Sequence, residues 1–220
     1  MKVVDRDSKL FKKYKSKFIP KLIIFLCIAA GVTFLSVLSY KLIQKFIHTS
    51  DSVTALYDNW EKKDYQSVYD ISSRILEKKP LHNTARTLHA YSAFYIAVAQ
   101  TESSETQKYL DESINNLRIA LQNSKDQTRG QIEYMLGKAY YFKDKFSSYH
   151  FYADLCIKYL LMAQNDFYHE DDISEYLGLS YAALGDTQKS ISSFTESLLV
   201  RETDVLLLSI AEQYYNSGAA

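Results

Sequence analysis

Helix-breaking residues are scarce in this chain, with two prolines and six glycines among 220 residues. Such a composition favours long helices and short connections and leaves little room for extended irregular loops. Cysteine is scarcer still. Cys27 lies inside an apolar segment and Cys156 sits beside Leu155 and Ile157 in a helical pattern. Two isolated thiols exclude a disulfide scaffold and leave the redox compartment unread. There is no nucleotide-binding loop and no zinc motif. His48, His82, His89, His150 and His169 are scattered, and His82 and His89 lack a neighbouring Cys or acid to complete a site. The serine pairs Ser72-Ser73, Ser147-Ser148 and Ser192-Ser193 show no histidine partner in a catalytic spacing. The acidic run Glu170-Asp171-Asp172 lacks the spaced oxygens and turn glycine of a calcium loop, and reads as a solvated helix start. No catalytic residue, metal, cofactor or small-molecule substrate is expected.

The net charge is zero, but it is unevenly spread. Residues 1–21 carry eight Lys or Arg against Asp5 and Asp7, while residues 41–220 carry 18 against 24 acidic residues. Between them, residues 22–40 read LIIFLCIAAGVTFLSVLSY without a charge. As a helix this run covers about 28 Å, close to the hydrocarbon thickness of a bilayer. Lys21 and Lys41 close its ends, where their stems can reach the headgroups. A signal peptide cut after Ser39 or near Ala30 is the competing reading, and the run is longer than a usual signal core. A lipoprotein reading through Cys27 meets bulky Leu26. The lysines crowd the N-terminal flank, so the positive-inside rule places the tail in the cytoplasm and the remainder across the membrane. An acidic body without a basic aromatic surface argues against nucleic acid.

Beyond the segment the chain repeats itself. Leu177-Gly178-Leu179-Ser180-Tyr181 is followed by Gly185-Asp186, Ser190, Phe194 and Ser197. In the same phase, Leu136-Gly137-Lys138-Ala139-Tyr140 is followed by Phe146, Tyr149, Ala153 and Cys156. Each reads as a helix, a tight turn and a second helix. The pattern resembles the tetratricopeptide repeat (TPR), a 34-residue helix pair. The resemblance assigns Leu136, Gly137, Tyr140, Leu177, Gly178, Tyr181 and Phe194 to packing between helices, the glycines permitting close approach. Two earlier units, 49–82 with Trp60, Asp64-Tyr65 and Pro80, and 83–127 with Ala90, are more divergent. Extra length falls around residues 100–108 and 165–172, as loops or as longer helices. Residues 205–216 form a further first helix without a partner.

The expected architecture is all-α: a single N-terminal transmembrane helix followed by a TPR-like α-solenoid of about four helix pairs and a terminal helix. The boundaries are a basic tail 1–21, the spanning segment 22–40, a juxtamembrane helical linker 41–50, the repeat domain 51–216 and a tail 217–220. In the TPR family the first helices line a concave face. That resemblance places Tyr57, Trp60, Tyr91, Phe94, Tyr95, Lys138, Tyr141 and Phe142 there, against a blander Leu179, Ala182 and Ala183 in the fourth unit. Aromatic side chains offer large contact areas with polar edges, which suits a protein partner. The alternative is that they pack between repeats. The layout is similar to the translocon-associated proteins with one anchor and periplasmic TPRs. It also resembles the membrane-anchored repeat subunits of the spirochete periplasmic flagellar collar. Either resemblance implies a non-enzymatic scaffold at a bacterial inner membrane, with its repeats in the periplasm. The implied partners are subunits of an envelope complex, exported chains or chaperones, or a second copy of the chain.

Overall fold

A computed structural model describes residues 23, 25, 27–40 and 51–218. The basic tail 1–21, the linker 41–50 and the last two residues lie outside the described residues. The chain divides into two units, Met1–Ser50 and Asp51–Ala220. In the first, residues 27–40 are helical and every one of them is exposed. Thr33, Ser36 and Ser39 return their hydroxyl protons to the carbonyls of Ala30, Thr33 and Leu35 at 2.8–2.9 Å. Among the described residues no helix is long and apolar enough to cross a membrane.

The second unit holds nine helices among its described residues: α1 Val53–Glu61, α2 Tyr65–Lys78, α3 Asn83–Ala99, α4 Ser103–Gln122, α5 Asp126–Asp144, α6 Ala153–Asn165, α7 Ile173–Ala183, α8 Thr187–Val200 and α9 Asp204–Asn216. They pair in chain order, α1 with α2 through α7 with α8, and each pair packs on the next. The first helices also touch one another, α1 with α3, α3 with α5 and α5 with α7. That side is therefore the inner, concave one. α9 packs on α8 as a ninth, unpaired helix.

The turns explain the pairing. α1 ends with Lys63 at φ 58°, its N–H on the Trp60 carbonyl and that of Asp64 on the Asn59 carbonyl. α7 ends identically, with Gly185 at φ 75° and bonds from Gly185 to Ala182 and from Asp186 to Tyr181. This is the Schellman stop, which turns the chain through one left-handed residue. Asp64 and Asp186 then cap the following helices, accepting the N–H of Ser67 at 3.1 Å and of Lys189 at 3.2 Å.

Close helix approach within pairs rests on small residues. A Cβ on Gly137 would meet the Leu160 side chain at 2.6 Å, and one on Gly178 would meet the Phe194 ring at the same distance. Leu136, Leu177, Tyr140 and Phe194 are buried around these contacts, and Tyr181 is half-buried. Fully buried Ala90 and Leu56 take the equivalent places in the earlier pairs. One continuous core runs from Leu56 through Val68, Leu110 and Leu136 to Leu177. The two stretches of extra length differ in form. The first is absorbed by helix, since only residues 100–102 separate α3 from α4. The second emerges as connection, residues 145–152 and 166–172.

Candidate interaction surface

The first helices carry an almost unbroken run of aromatic rings. Trp60 on α1 lies edge-on to Tyr65 at 5.4 Å and to Tyr95 at 5.7 Å, and these two tyrosines stack at 4.4 Å. Tyr95 meets Phe94, Phe94 meets Phe142 of α5 at 5.6 Å, and Phe142 and Tyr141 meet Tyr176 of α7. Edge-to-face pairs of this kind each add about 0.5–1.5 kcal/mol beyond burial, so the run also stiffens the stack of repeats. Lys145 covers Tyr141 and Phe142 from outside at 5.0 and 5.3 Å.

Not all eight residues assigned to this face present it to solvent. Tyr57 is about half exposed at 49%, while Trp60, Tyr95, Tyr141 and Phe142 are half-buried. Tyr91 and Phe94 are 4% and 2% exposed and serve as floor. Their area goes to neighbouring repeats, the reading that competed with partner contact. Lys138 is not free either. Its ammonium bonds the Asp172 carboxylate at 2.8 Å and the Tyr134 hydroxyl at 2.9 Å, and lies between the Tyr134 and Tyr176 rings.

At the α1 end the floor opens into a cavity of about 500 Å³ lined by Tyr57 and Trp60, by Asn83, Thr87, Leu88 and Tyr91 of α3, and by Lys125 and Gln131. That volume lies within the range of built binding sites. The Tyr91 hydroxyl is buried and has no hydrogen-bond partner. Burial holds its phenol well above the ordinary tyrosine range, so it remains a donor. The cavity lining combines apolar Leu88 and Trp60 with amides, hydroxyls and one ammonium. Such a lining suits a largely uncharged ligand surface.

Tyr65 was read only as part of a turn, and Tyr134, Tyr176, Asn83, Thr87 and Gln131 escaped the sequence reading. Tyr134 and Tyr176 carry a signal that could have found them, since each precedes an assigned or apolar position of its own helix by about one turn. Tyr65 opens a second helix, where no resemblance points inward.

The structure also brings together groups that sequence spacing kept apart. Ser72 Oγ lies 3.0 Å from His89 Nδ1, His89 Nε2 lies 2.9 Å from Glu112 Oε1, and Tyr69 donates to Glu112 Oε2 at 2.8 Å. Serine, histidine and acid in this order could suggest acyl transfer. Ser72, however, is fully buried, and its hydroxyl donates to the Tyr69 carbonyl at 2.9 Å. It sits inside α2, where the surrounding N–H groups are spent on the helix and cannot form an oxyanion hole. The cluster ties α2, α3 and α4 together. Cys156 is similarly inert: burial pushes its thiol up to about 12, and it accepts from Ser180 Oγ at 3.1 Å. His82 caps α3 by accepting the Ala85 N–H, and His150 contacts Asp144 at 2.7 Å. Asp172 of the acidic run binds Tyr134 and Lys138 instead of capping α7. Among the described residues no group of three metal-ligating side chains is assembled.

No protein-family model matches the chain, and no curated protein matches it. Among solved structures it is similar to a thermophilic TPR protein from Thermus thermophilus. The identity is 16% and the TM-score 0.51, over 76% of this chain and 81% of that one. At that identity the likeness concerns the fold, and the fold of this chain is TPR-like.

Proposed function

We propose that the chain is a non-enzymatic, membrane-anchored protein-interaction scaffold whose concave face binds a polypeptide partner. The observation that carries this reading is the cavity at the α1 end, walled by Tyr57 and Trp60 and lined by Leu88 and Tyr91 of α3. Solenoids of this kind present extended concave surfaces to their ligands. The anchor is residues 22–40. Their lack of charge supports it, as does the way Thr33, Ser36 and Ser39 bond to their own helix, which lowers the cost of placing hydroxyls in lipid. The basic tail then faces the cytoplasm and the repeats face the periplasm of a bacterium.

Within that reading the role is a structural or assembly subunit of an envelope complex, with the layout of a flagellar motor collar component. Fixed attachment and a stiffened aromatic stack favour it. Assistance to exported chains or chaperones at the translocon is the second reading, favoured by the largely uncharged cavity rim, which suits unfolded polypeptide.

Cross-linking from Tyr57 in the full chain, followed by detergent extraction and partner identification, tests both. Tyr57→Ala with Gln131→Ala alters two exposed positions and should abolish capture while leaving thermal unfolding unchanged. Undiminished capture by the folded double variant overturns the concave-face reading. Stable co-purification with a large complex supports assembly, and transient cross-links to newly exported chains support the translocon role.

A further inference from the structure

Residues 166–172, between α6 and α7, form a strap laid along α5. It starts at a Schellman stop whose left-handed position is occupied by Phe167 at φ 59°, where glycine would be unstrained. Phe167 is itself 87% exposed. Tyr168 packs its ring against Tyr134 at 5.4 Å and comes so close to α5 that a Cβ on Gly130 would lie 2.6 Å from its own Cβ. That contact explains a glycine inside a helix, for which the sequence offers no other reason. Asp172 closes the strap on Tyr134 and Lys138. The strap thus covers part of the face that α5 would otherwise turn to a partner.

Beneath it the charges do not balance. Arg129 Nε lies 3.1 Å from Glu133 Oε1 and 3.2 Å from Asp166 Oδ2, so two carboxylates share one guanidinium nitrogen. Glu133 has 1% of its side chain exposed, and apart from the Arg129 ion pair neither of its oxygens has a hydrogen-bond partner. The groups facing it are Arg129 from its own helix and Asp166 from the strap. Other neighbouring charges are engaged elsewhere. Glu170 accepts from Tyr168 at 2.8 Å, and Asp172 from Tyr134 and Lys138. α3 presents the phenols of Tyr91 and Tyr95, which burial keeps protonated. α4 turns Asp111 to Lys143 and Arg118 toward Tyr140, and α6 stacks Tyr159 on Tyr140, all on the far half of α5.

We propose that the strap is a proton-controlled cover. It seats on α5 when the Glu133–Asp166 pair holds a proton and lifts Tyr168 from Tyr134 when both carboxylates are ionised. With one proton, the pair and Arg129 sum to zero, and Glu133 can donate to Asp166. Without it, the Glu133 charge is buried beside the partly exposed Asp166 carboxylate, and lifting the strap admits water to Glu133. Burial and the nearby Asp166 raise Glu133 from its ordinary 4.5 to about 7, placing the transition near neutrality. The strain at Phe167 lowers the cost of release. The consequence for partner access rests on the concave-face reading, whereas the cover itself does not.

Amide hydrogen exchange of the full chain in detergent, from about pH 5.5 to about pH 8.5 and corrected for the intrinsic pH dependence of exchange, reads the strap directly. The reporter is the Tyr168 N–H, which donates to the Ala163 carbonyl at 2.9 Å. Its protection should fall at least about tenfold with a midpoint near 7 while the interior of α5 stays protected. Glu133→Gln should flatten the profile. Should that variant fail to fold, Asp166→Asn, at a far more exposed site, carries the test, because it removes the competing carboxylate and leaves Glu133 to Arg129. A pH-independent strap in the unaltered chain, or an unchanged profile in Asp166→Asn, overturns the proposal. Neither result would affect capture through Tyr57 and Gln131, so the two readings fail separately.

Discussion

The first three helix pairs and the last are held together by different means. From α1 into α7 one core is continuous, and aromatic rings bridge successive first helices at 4.8–6.3 Å. The α7–α8 pair instead carries the partly buried Leu179, Ala182 and Ala183, and is held by a close fit of Phe194 against Gly178. Phe194 and Leu206 are each 1% exposed, yet they lie outside the continuous core. Beyond them α9 leaves Val205, Leu208 and Tyr215 exposed. A nearest-neighbour stack is only as stable as its interfaces, so this difference predicts that the two regions unfold separately.

The largest test of that separation is Phe194→Ala. Emptying a fully buried ring position costs about 3–5 kcal/mol. The loss should fall on α7–α9 alone. Thermal unfolding followed by circular dichroism should show an early partial loss of helix while the aromatic near-ultraviolet signal of the first pairs persists. A single shifted transition would break the comparison and make the unit one cooperative body.

The next effect belongs to the first region and has the opposite trigger. Glu133 in the folded protein stays protonated to about pH 7, whereas in the unfolded chain it ionises near 4.5. Between those values the folded state binds the extra proton, so its stability falls as pH rises through the interval and levels off above it. The full difference is about 3 kcal/mol, at 1.36 kcal/mol per unit. Denaturant unfolding of the first-region transition at both ends of the interval measures it, and Glu133→Gln should remove that fall. If the α7–α9 transition alone responded to pH, the division of labour drawn here would be reversed.

Much of this was legible in the sequence, for definite reasons. Gly137, Gly178, Tyr140 and Tyr181 recur in one phase because close helix approach has a strict steric requirement that leaves a mark in residue identity. The same holds for Asp64 and Gly185-Asp186, where a left-handed residue and a cap must follow each other. The surface was less legible. The TPR resemblance puts Tyr91 and Phe94 on the inward side but cannot say whether the neighbouring repeat covers them. The strap was visible only as surplus length and an acidic run, and Gly130 was not singled out, because their contact joins residues 38 apart in the chain, outside any helical period. The His89 cluster was missed for the same reason, since its three members lie on three helices.

The smallest prediction compares one buried polar contact in each region. In the first, His89 is 4% exposed, bonds Ser72 and Glu112, and stacks on Tyr69 at 4.5 Å. His89→Ala removes two hydrogen bonds and a ring, and should cost about 2 kcal/mol. The loss should be confined to the transition of the first pairs. In the second region Ser180 is 2% exposed and donates to Cys156. A thiol is a weak acceptor that tolerates being left alone, so Ser180→Ala should cost no more than about 1 kcal/mol. Ser180 nevertheless joins α7 to α6, across the boundary between the two regions. If its loss widens the gap between the two transitions while His89→Ala narrows it, the boundary lies at α6–α7, where the strap also begins. Equal and additive effects on both transitions would place no boundary there.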